Sequence, residues 1–166
     1  MPDYLRTQVF SVNLPFVAKK LTDLELAAWQ ALLHAHFDVT RLLDAELRAE
    51  HEVTWSGYDV LVRLARAAER RLPMAELARR VMMSPSGLTR AVDTLVEQRL
   101  VTRERDANDG RVVYARLSEK GLELVRRAAR THLRGIREHF TGRLSRAQLR
   151  AVASALGVIT GPHQPH

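Results

Sequence analysis

The chain has 166 residues, no cysteine, and 26 Lys/Arg against 19 Asp/Glu, for a net charge of +7. That length is enough for one domain with a real core, and 46% hydrophobic residues point to a globular chain rather than a disordered one. The lack of cysteine excludes disulfides, thiolate zinc sites and thiol-based redox sensing. No apolar run is long enough to span a bilayer and no charged-then-apolar leader opens the sequence, so a soluble, cytoplasmic protein is expected.

Residues 1–21 are irregular, with Phe10, Val12, Leu14, Phe16 and Val17 around Pro15, and the pattern assigns them no element. Thr22-Asp23-Leu24-Glu25 is a capping box, in which Thr22 caps a helix and Glu25 reaches back to its N–H. The helix is expected to run to about Glu50. Along it Trp29, Leu33, His36, Thr40, Leu43 and Leu47 recur at spacings of 3 and 4, and Leu32, Val39 and Leu42 widen the apolar surface. Thr54 or Ser56 caps a second helix, whose buried side is marked by Tyr58, Leu61, Val62, Leu64 and Ala65. Arg66 to Arg71 reads as a charged turn, and Leu72 opens the next segment, containing Glu76-Leu77-Ala78.

A further helix starts at Ser84-Pro85-Ser86-Gly87. Ser84 suits the N-cap, and Pro85 falls at the first helical position, where a missing N–H costs nothing. Leu88, Val92, Leu95 and Arg99 share one face, while Ser86, Arg90, Asp93 and Glu97 lie roughly opposite, with Thr89 at the edge. A helix that turns small hydroxyls and an arginine outward from its N-terminal half suits the major groove of DNA. An ordinary amphipathic surface helix would look similar, so the weight falls on the residues after it. Leu100 to Arg105 alternates like a strand, Val112 to Leu117 has strand composition, and Asp106-Ala107-Asn108-Asp109-Gly110 between them carries the Asp-Gly turn signal. Helix, turn, helix and basic hairpin make a winged helix. Between Val60 and Lys120 there are 13 Lys/Arg and 8 Asp/Glu, so +5 of the +7 falls on this stretch, as a polyanion partner would require.

Ser118 caps a second long helix, with Leu122, Val125, Ala129, His132, Leu133, Ile136 and Phe140 as its apolar stripe. Thr141-Gly142 breaks it. Ser145-Arg146-Ala147-Gln148 is another capping box, followed by Leu149, Val152, Ala153 and Leu156. Thr160 to His166 reads as a tail. These outer helices carry more apolar surface than one winged helix can cover, which predicts a homodimer.

Asp109-Gly110-Arg111 followed by Leu117-Ser118-Glu119-Lys120-Gly121 resembles the D-x-R…L-[ST]-x-x-G wing signature of the MarR family of transcriptional regulators. Ser86-Gly87-Leu88-Thr89-Arg90, with Val92 and Leu95, resembles that family's recognition helix, and Glu76-Leu77-Ala78 the helix before it. The likeness covers roughly Thr54 to Phe140. Two positions depart from the pattern. Met74 stands where a capping Ser or Thr is common, and Arg99 where a Gly usually ends the recognition helix. The resemblance implies a mostly α fold with a small β wing: a winged helix-turn-helix whose terminal helices form a dimerisation region. Residues 1–166 then form a single domain, with dimerisation helices at 22–50 and 119–160 and a DNA-binding region at 54–118. It implies a repressor that reads a pseudo-palindromic duplex. Ser84, Ser86, Gly87, Thr89 and Arg90 are expected at bases and phosphates of the major groove, and Arg111 in the minor groove. Arg99, Arg103 and Arg105 are expected on phosphates, with Asp109 holding the wing tip by pairing with a wing arginine.

The family resemblance also implies a small aromatic or anionic effector, held in a crevice that Trp29, His36, Trp55, Tyr58 and His132 could line; core packing accounts for the same residues. No cofactor is expected, and no nucleophile–base constellation, phosphate loop or H-E-x-x-H appears, so no enzyme activity is expected. His34 and His36 point about 200° apart on a helix and cannot share a metal. Two rival readings remain: a winged-helix protein–protein module without DNA binding, and a metal-dependent enzyme using His36 and His132.

Overall fold

The computed structural model describes residues 20–106 and 109–160. Most of the apolar segment around Pro15, the two loop residues Ala107 and Asn108, and the tail with His163 and His166 lie outside the described residues. Two compact units divide the chain, residues 1–34 and 35–166. Helix α1 (Asp23–His51) begins in the first and continues into the second.

In the first unit the capping box forms as the sequence predicts. Thr22 N–H donates to Glu25 Oε2 at 2.7 Å, and Glu25 N–H donates to Thr22 Oγ1 at 3.3 Å. The Thr22 backbone bond holds the Glu25 carboxyl below its usual pKa. Leu24, Trp29 and Leu33 are all exposed on this stretch.

The second unit holds the core. Leu43 and Leu47 of α1 are buried. Helix α2 (Trp55–Arg66) is capped by Thr54, whose hydroxyl accepts from Gly57 N–H at 2.9 Å. Asp44 on α1 accepts from Trp55 N–H at 2.7 Å, which fixes the corner between the two helices. The charged stretch after α2 is a 3-10 turn (Ala68–Arg70) followed by a strand, β1 (Arg71–Pro73), where the sequence suggests a turn and a helix start. Helix α3 (Met74–Arg80) then begins with Pro73 as a cap that offers no side-chain hydrogen bond. Helix α4 (Pro85–Glu97) and strands β2 (Val101–Arg105) and β3 (Val113–Leu117) come next. The sheet order is β1-β3-β2, antiparallel throughout, so the wing is three-stranded rather than a two-stranded hairpin. Pro73 is tolerated because β1 is an edge strand and Leu72 supplies the buried contact.

Leu61, Leu64, Leu77, Leu88, Val92, Leu95, Val101 and Ala115 are each almost fully buried and pack as one cluster. Each large aliphatic side chain removed from water contributes about 1.5–3 kcal/mol. Helix α5 (Glu119–His139), capped by Ser118, closes this core with Leu124 and Ala128. Its buried stripe is Gly121, Leu124, Ala128, Thr131 and Gly135, not the set expected around Leu133. The small residues decide the register. A Cβ at Gly121 would collide with the Leu100 carbonyl, and one at Gly135 would lie 2.6 Å from Leu43 Cδ2, so backbones approach closely on that side. Leu133 is left 52% exposed, while Leu122 and Val125 are only partly buried. After a 3-10 turn (Thr141–Arg143), the capping box at Ser145 and Gln148 opens α6 (Arg146–Thr160), which buries no side chain. No described helix is long and apolar enough to cross a membrane.

Candidate nucleic-acid interface

Ser84 caps α4 as its sequence requires, its hydroxyl accepting from Gly87 N–H at 3.1 Å. A Cβ on Gly87 would sit 3.0 Å from that oxygen, so Gly87 serves the tight first turn. Ser86, Thr89 and Arg90 are exposed on the next turn. Thr89 Oγ1 donates to the Pro85 carbonyl at 2.9 Å and keeps its lone pairs for an outside donor. The Arg90 guanidinium has no hydrogen bond or ion pair with the described residues.

The helix ends in a Schellman motif: Leu100 N–H donates to the Leu95 carbonyl and Arg99 N–H to the Val96 carbonyl, both at 2.9 Å. Arg99 takes the left-handed position, φ 59°, where glycine is usual, at a cost of about 1 kcal/mol. Ser118 Oγ donates to the Arg99 carbonyl at 2.8 Å, and Lys120 Nζ to the Gln98 carbonyl at 2.9 Å, which helps to hold that conformation. The Arg99 side chain itself is exposed. The turn before α4 ends α3 in the same way around Met82, φ 52°.

In the wing, Arg105 and Arg111 are exposed. Arg103, expected at a phosphate, is exposed but already engaged by neighbouring groups of the chain. It pairs with Asp93 at 2.7 Å and donates to the Thr89 carbonyl at 3.2 Å, so it braces the wing against α4. A second brace joins Arg116 to Glu104 at 2.6 Å and to the Glu69 carbonyl at 2.9 Å. Sequence reasoning missed Glu104 and Arg116 as braces, and Asp93 reads there as one more polar residue on the outward face. At the tip, Asp109 Oδ1 accepts from the Arg111 backbone N–H at 3.0 Å, and Asp106 Oδ1 accepts from Asp109 N–H at 3.0 Å. Among the described residues Asp109 holds the tip through main chain, not through a guanidinium. Thr89, Arg103, Arg105 and Arg111 line one open groove between α4 and the wing.

Of the five residues expected to line an effector crevice, Tyr58 and His132 come together, with ring centroids 5.1 Å apart and planes tilted by 53°. His132 Nδ1 is buried without a hydrogen-bond partner among the described residues. Burial pulls the His132 pKa down, opposed by Asp59, and pushes the Tyr58 hydroxyl up, opposed by Arg66. Trp55 is half-buried against the core. His36 is exposed, its carbonyl accepting from Thr40 Oγ1 at 2.6 Å. Trp29 lies in the first unit, 49% exposed.

Residues 51–112 match the sequence profile of the MarR family. AbsC, a MarR family transcriptional regulator from Streptomyces coelicolor, superposes with a TM-score of 0.78 at 32% identity, over 86% of this chain and 95% of its own. A second MarR family transcriptional regulator from the same organism, solved in complex with DNA, gives a TM-score of 0.81 at 30% identity, over 89% of this chain and 92% of its own. The HTH-type transcriptional regulator YhbI of Bacillus subtilis (strain 168) is 35% identical over 57 residues, which cover 34% of this chain and only 37% of that protein.

Proposed function

Because the chain belongs to the MarR family of transcriptional regulators, we propose that it is a cytoplasmic homodimeric repressor that binds a pseudo-palindromic duplex and leaves it when a small aromatic or anionic effector binds. The observation that carries this reading is the state of its arginines. Arg90 on α4 and Arg111 at the wing tip are exposed, and neither guanidinium has a partner among the described residues, with Ser86 and Thr89 beside Arg90. A guanidinium on the outward face of a recognition helix can donate to a guanine edge. One at the tip of a narrow hairpin suits the minor groove, where readout is mostly width and A·T content. Arg99 and Arg105 would meet phosphates, which fix register. A relative solved in complex with DNA supports the same assignment. The effector crevice is proposed around Tyr58 and His132, whose unpartnered Nδ1 offers a hydrogen-bonding position next to an aromatic ring.

The test is selection of bound sites from a randomised duplex pool, followed by affinity measurements at several salt concentrations. Two half-sites about one helical turn apart are expected. Arg90→Ala should cost roughly 1–3 kcal/mol and relax one base per half-site. Arg111→Ala should weaken binding to all sites and lower the salt slope by about one unit per subunit. An absence of enrichment, or a salt-independent affinity, would sink the DNA-binding reading.

A further inference from the structure

Away from the winged helix, α1 and the last turn of α5 form a second polar cluster. Glu46, Glu138 and His139 each bring a ligand-type atom to one place, all within 4.8 Å of one another. His139 Nε2 lies against Glu46 Oε1. The His139 side chain is only 10% exposed, and the buried Glu46 Oε2 beside it has no hydrogen-bond partner among the described residues. His139 Nδ1, also unpaired there, points away from Glu46 and is not part of the set. Leaving buried polar atoms unpaired costs about 1–3 kcal/mol each, so such atoms ask for an explanation. Gly135 makes room for the carboxylate: a Cβ there would stand 2.7 Å from Glu46 Oε2.

The charge around the cluster suits a cation. Arg134 lies 3.8 Å from Glu46 Oε2, but its closer bond goes to Glu50. Arg143 donates to the main-chain carbonyl of Glu138. The shorter Arg134 contact and the Arg143 bond thus go to acceptors outside the cluster, where Glu46 and Glu138 supply the carboxylates. One imidazole nitrogen with two carboxylate oxygens is a mixed set that favours a borderline ion such as zinc over magnesium or calcium. Tetrahedral bonds of about 2.0–2.1 Å need donors about 3.4 Å apart, so the His139 Nε2–Glu46 Oε1 contact must open by about 0.9 Å while Glu138 closes by up to about 1.4 Å. Glu138 is exposed and can make that movement by side-chain rotation alone.

We propose that Glu46, Glu138 and His139 form a binding site for one zinc-like divalent cation per chain, with a fourth position open. The proposal is independent of the DNA-binding reading. An ion there would tie α1 to the end of α5, just before the turn that leads into α6. Full-length protein stripped by a chelator and titrated with zinc against a chromogenic chelator tests it. One zinc per chain is expected, unmoved by excess magnesium. Glu138→Gln and His139→Gln should each weaken binding by at least about tenfold. Zinc should raise the melting temperature of the parent by more than that of Glu138→Gln, with the zinc-free values close, which separates metal loss from misfolding. Failure of the parent to compete for zinc overturns the proposal. So does retention of full affinity in either variant, because the ion would then sit on other histidines.

Discussion

The winged helix and the helices that flank it treat their apolar residues in opposite ways. From α2 to β3, leucines and valines such as Leu61, Leu64, Leu88, Val92 and Val101 are at most 1% exposed. Helix α6 buries none of its side chains, and Val158 and Ile159 are 84% and 74% exposed. Leu24 of α1, described in its own unit, is 79% exposed. The reading head is therefore closed within one chain, whereas the outer helices display apolar surface that a monomer leaves in water. That exposed apolar surface is the observation behind the proposed homodimer.

Two substitutions break that comparison open, and the first carries the largest expected effect. Leu95→Ala, inside the closed head, should lower unfolding free energy by about 2–5 kcal/mol, read from denaturant titration. Leu133→Asp, on the exposed side of α5, should leave the winged helix folded. It should shift sedimentation from about twice the 18.8 kDa chain mass toward that mass itself, because an unpaired charge would be buried at the contact. A parent that sediments as a monomer at micromolar concentration would remove the dimer from the account.

The same contrast explains what could be read in the sequence. Local signals were legible: the Thr22–Glu25 and Ser145–Gln148 boxes, the Thr54, Ser84 and Ser118 caps, and the Leu88–Val92–Leu95 face all form as their spacing indicates. Where two answers were locally equivalent, tertiary contact chose. Helix α5 carries two stripes at helical spacing, and the larger, more apolar one looks like the buried face. The glycine-containing stripe faces the core because only it lets α1 and Leu100 come close. Strand β1 is hidden in the sequence because three residues are too few for an alternation to register. Left-handed Met82 lacks the glycine that would have marked it, and Arg99 was marked only by the family resemblance. Arg103 and Asp93 are ten positions apart on different elements, and no sequence period links them.

That hidden pair yields a sharper test, smaller in size. If Arg103 were free to bind phosphate and Asp93 merely competed for it, Asp93→Asn would strengthen DNA binding. If the pair braces the wing, Asp93→Asn should weaken it by up to about fivefold and leave the salt slope unchanged. The pair is more than a third exposed, so solvent limits its direct worth to about 0.2–1 kcal/mol. Arg103→Gln should do the same, and the double variant should fall short of the sum of the two losses. Amide exchange across residues 101–117 should speed up in both single variants without DNA present. A gain of affinity in Asp93→Asn would return Arg103 to the phosphates.

The smallest expected effect lies where the closed head meets α5, at Tyr58 and His132. Burial lowers the His132 pKa below its ordinary 6.5, with Asp59 opposing only in part. The folded chain therefore binds this proton less readily than the unfolded chain does. At any pH where the unfolded histidine is protonated and the folded one is not, the unfolded state is favoured. His132 thus contributes its full share to stability above about pH 6.5, and loses it progressively as acid carries the pH down toward the folded pKa. Glu50 works in the same direction at lower pH, because its bonds from Thr131 and then Arg134 depress its carboxyl below the usual value. Between pH 7 and pH 5.5, above the carboxylate range, the histidine share can be isolated. His132→Phe keeps an aromatic ring against Tyr58 and removes the titration. The parent should lose melting temperature across that window, and His132→Phe should lose less, by a few degrees at most for a chain of this size. If the two curves ran parallel, the His132 ring would be charging freely in the folded state. It would then be solvated rather than packed on Tyr58, and the proposed crevice would lose its polar wall.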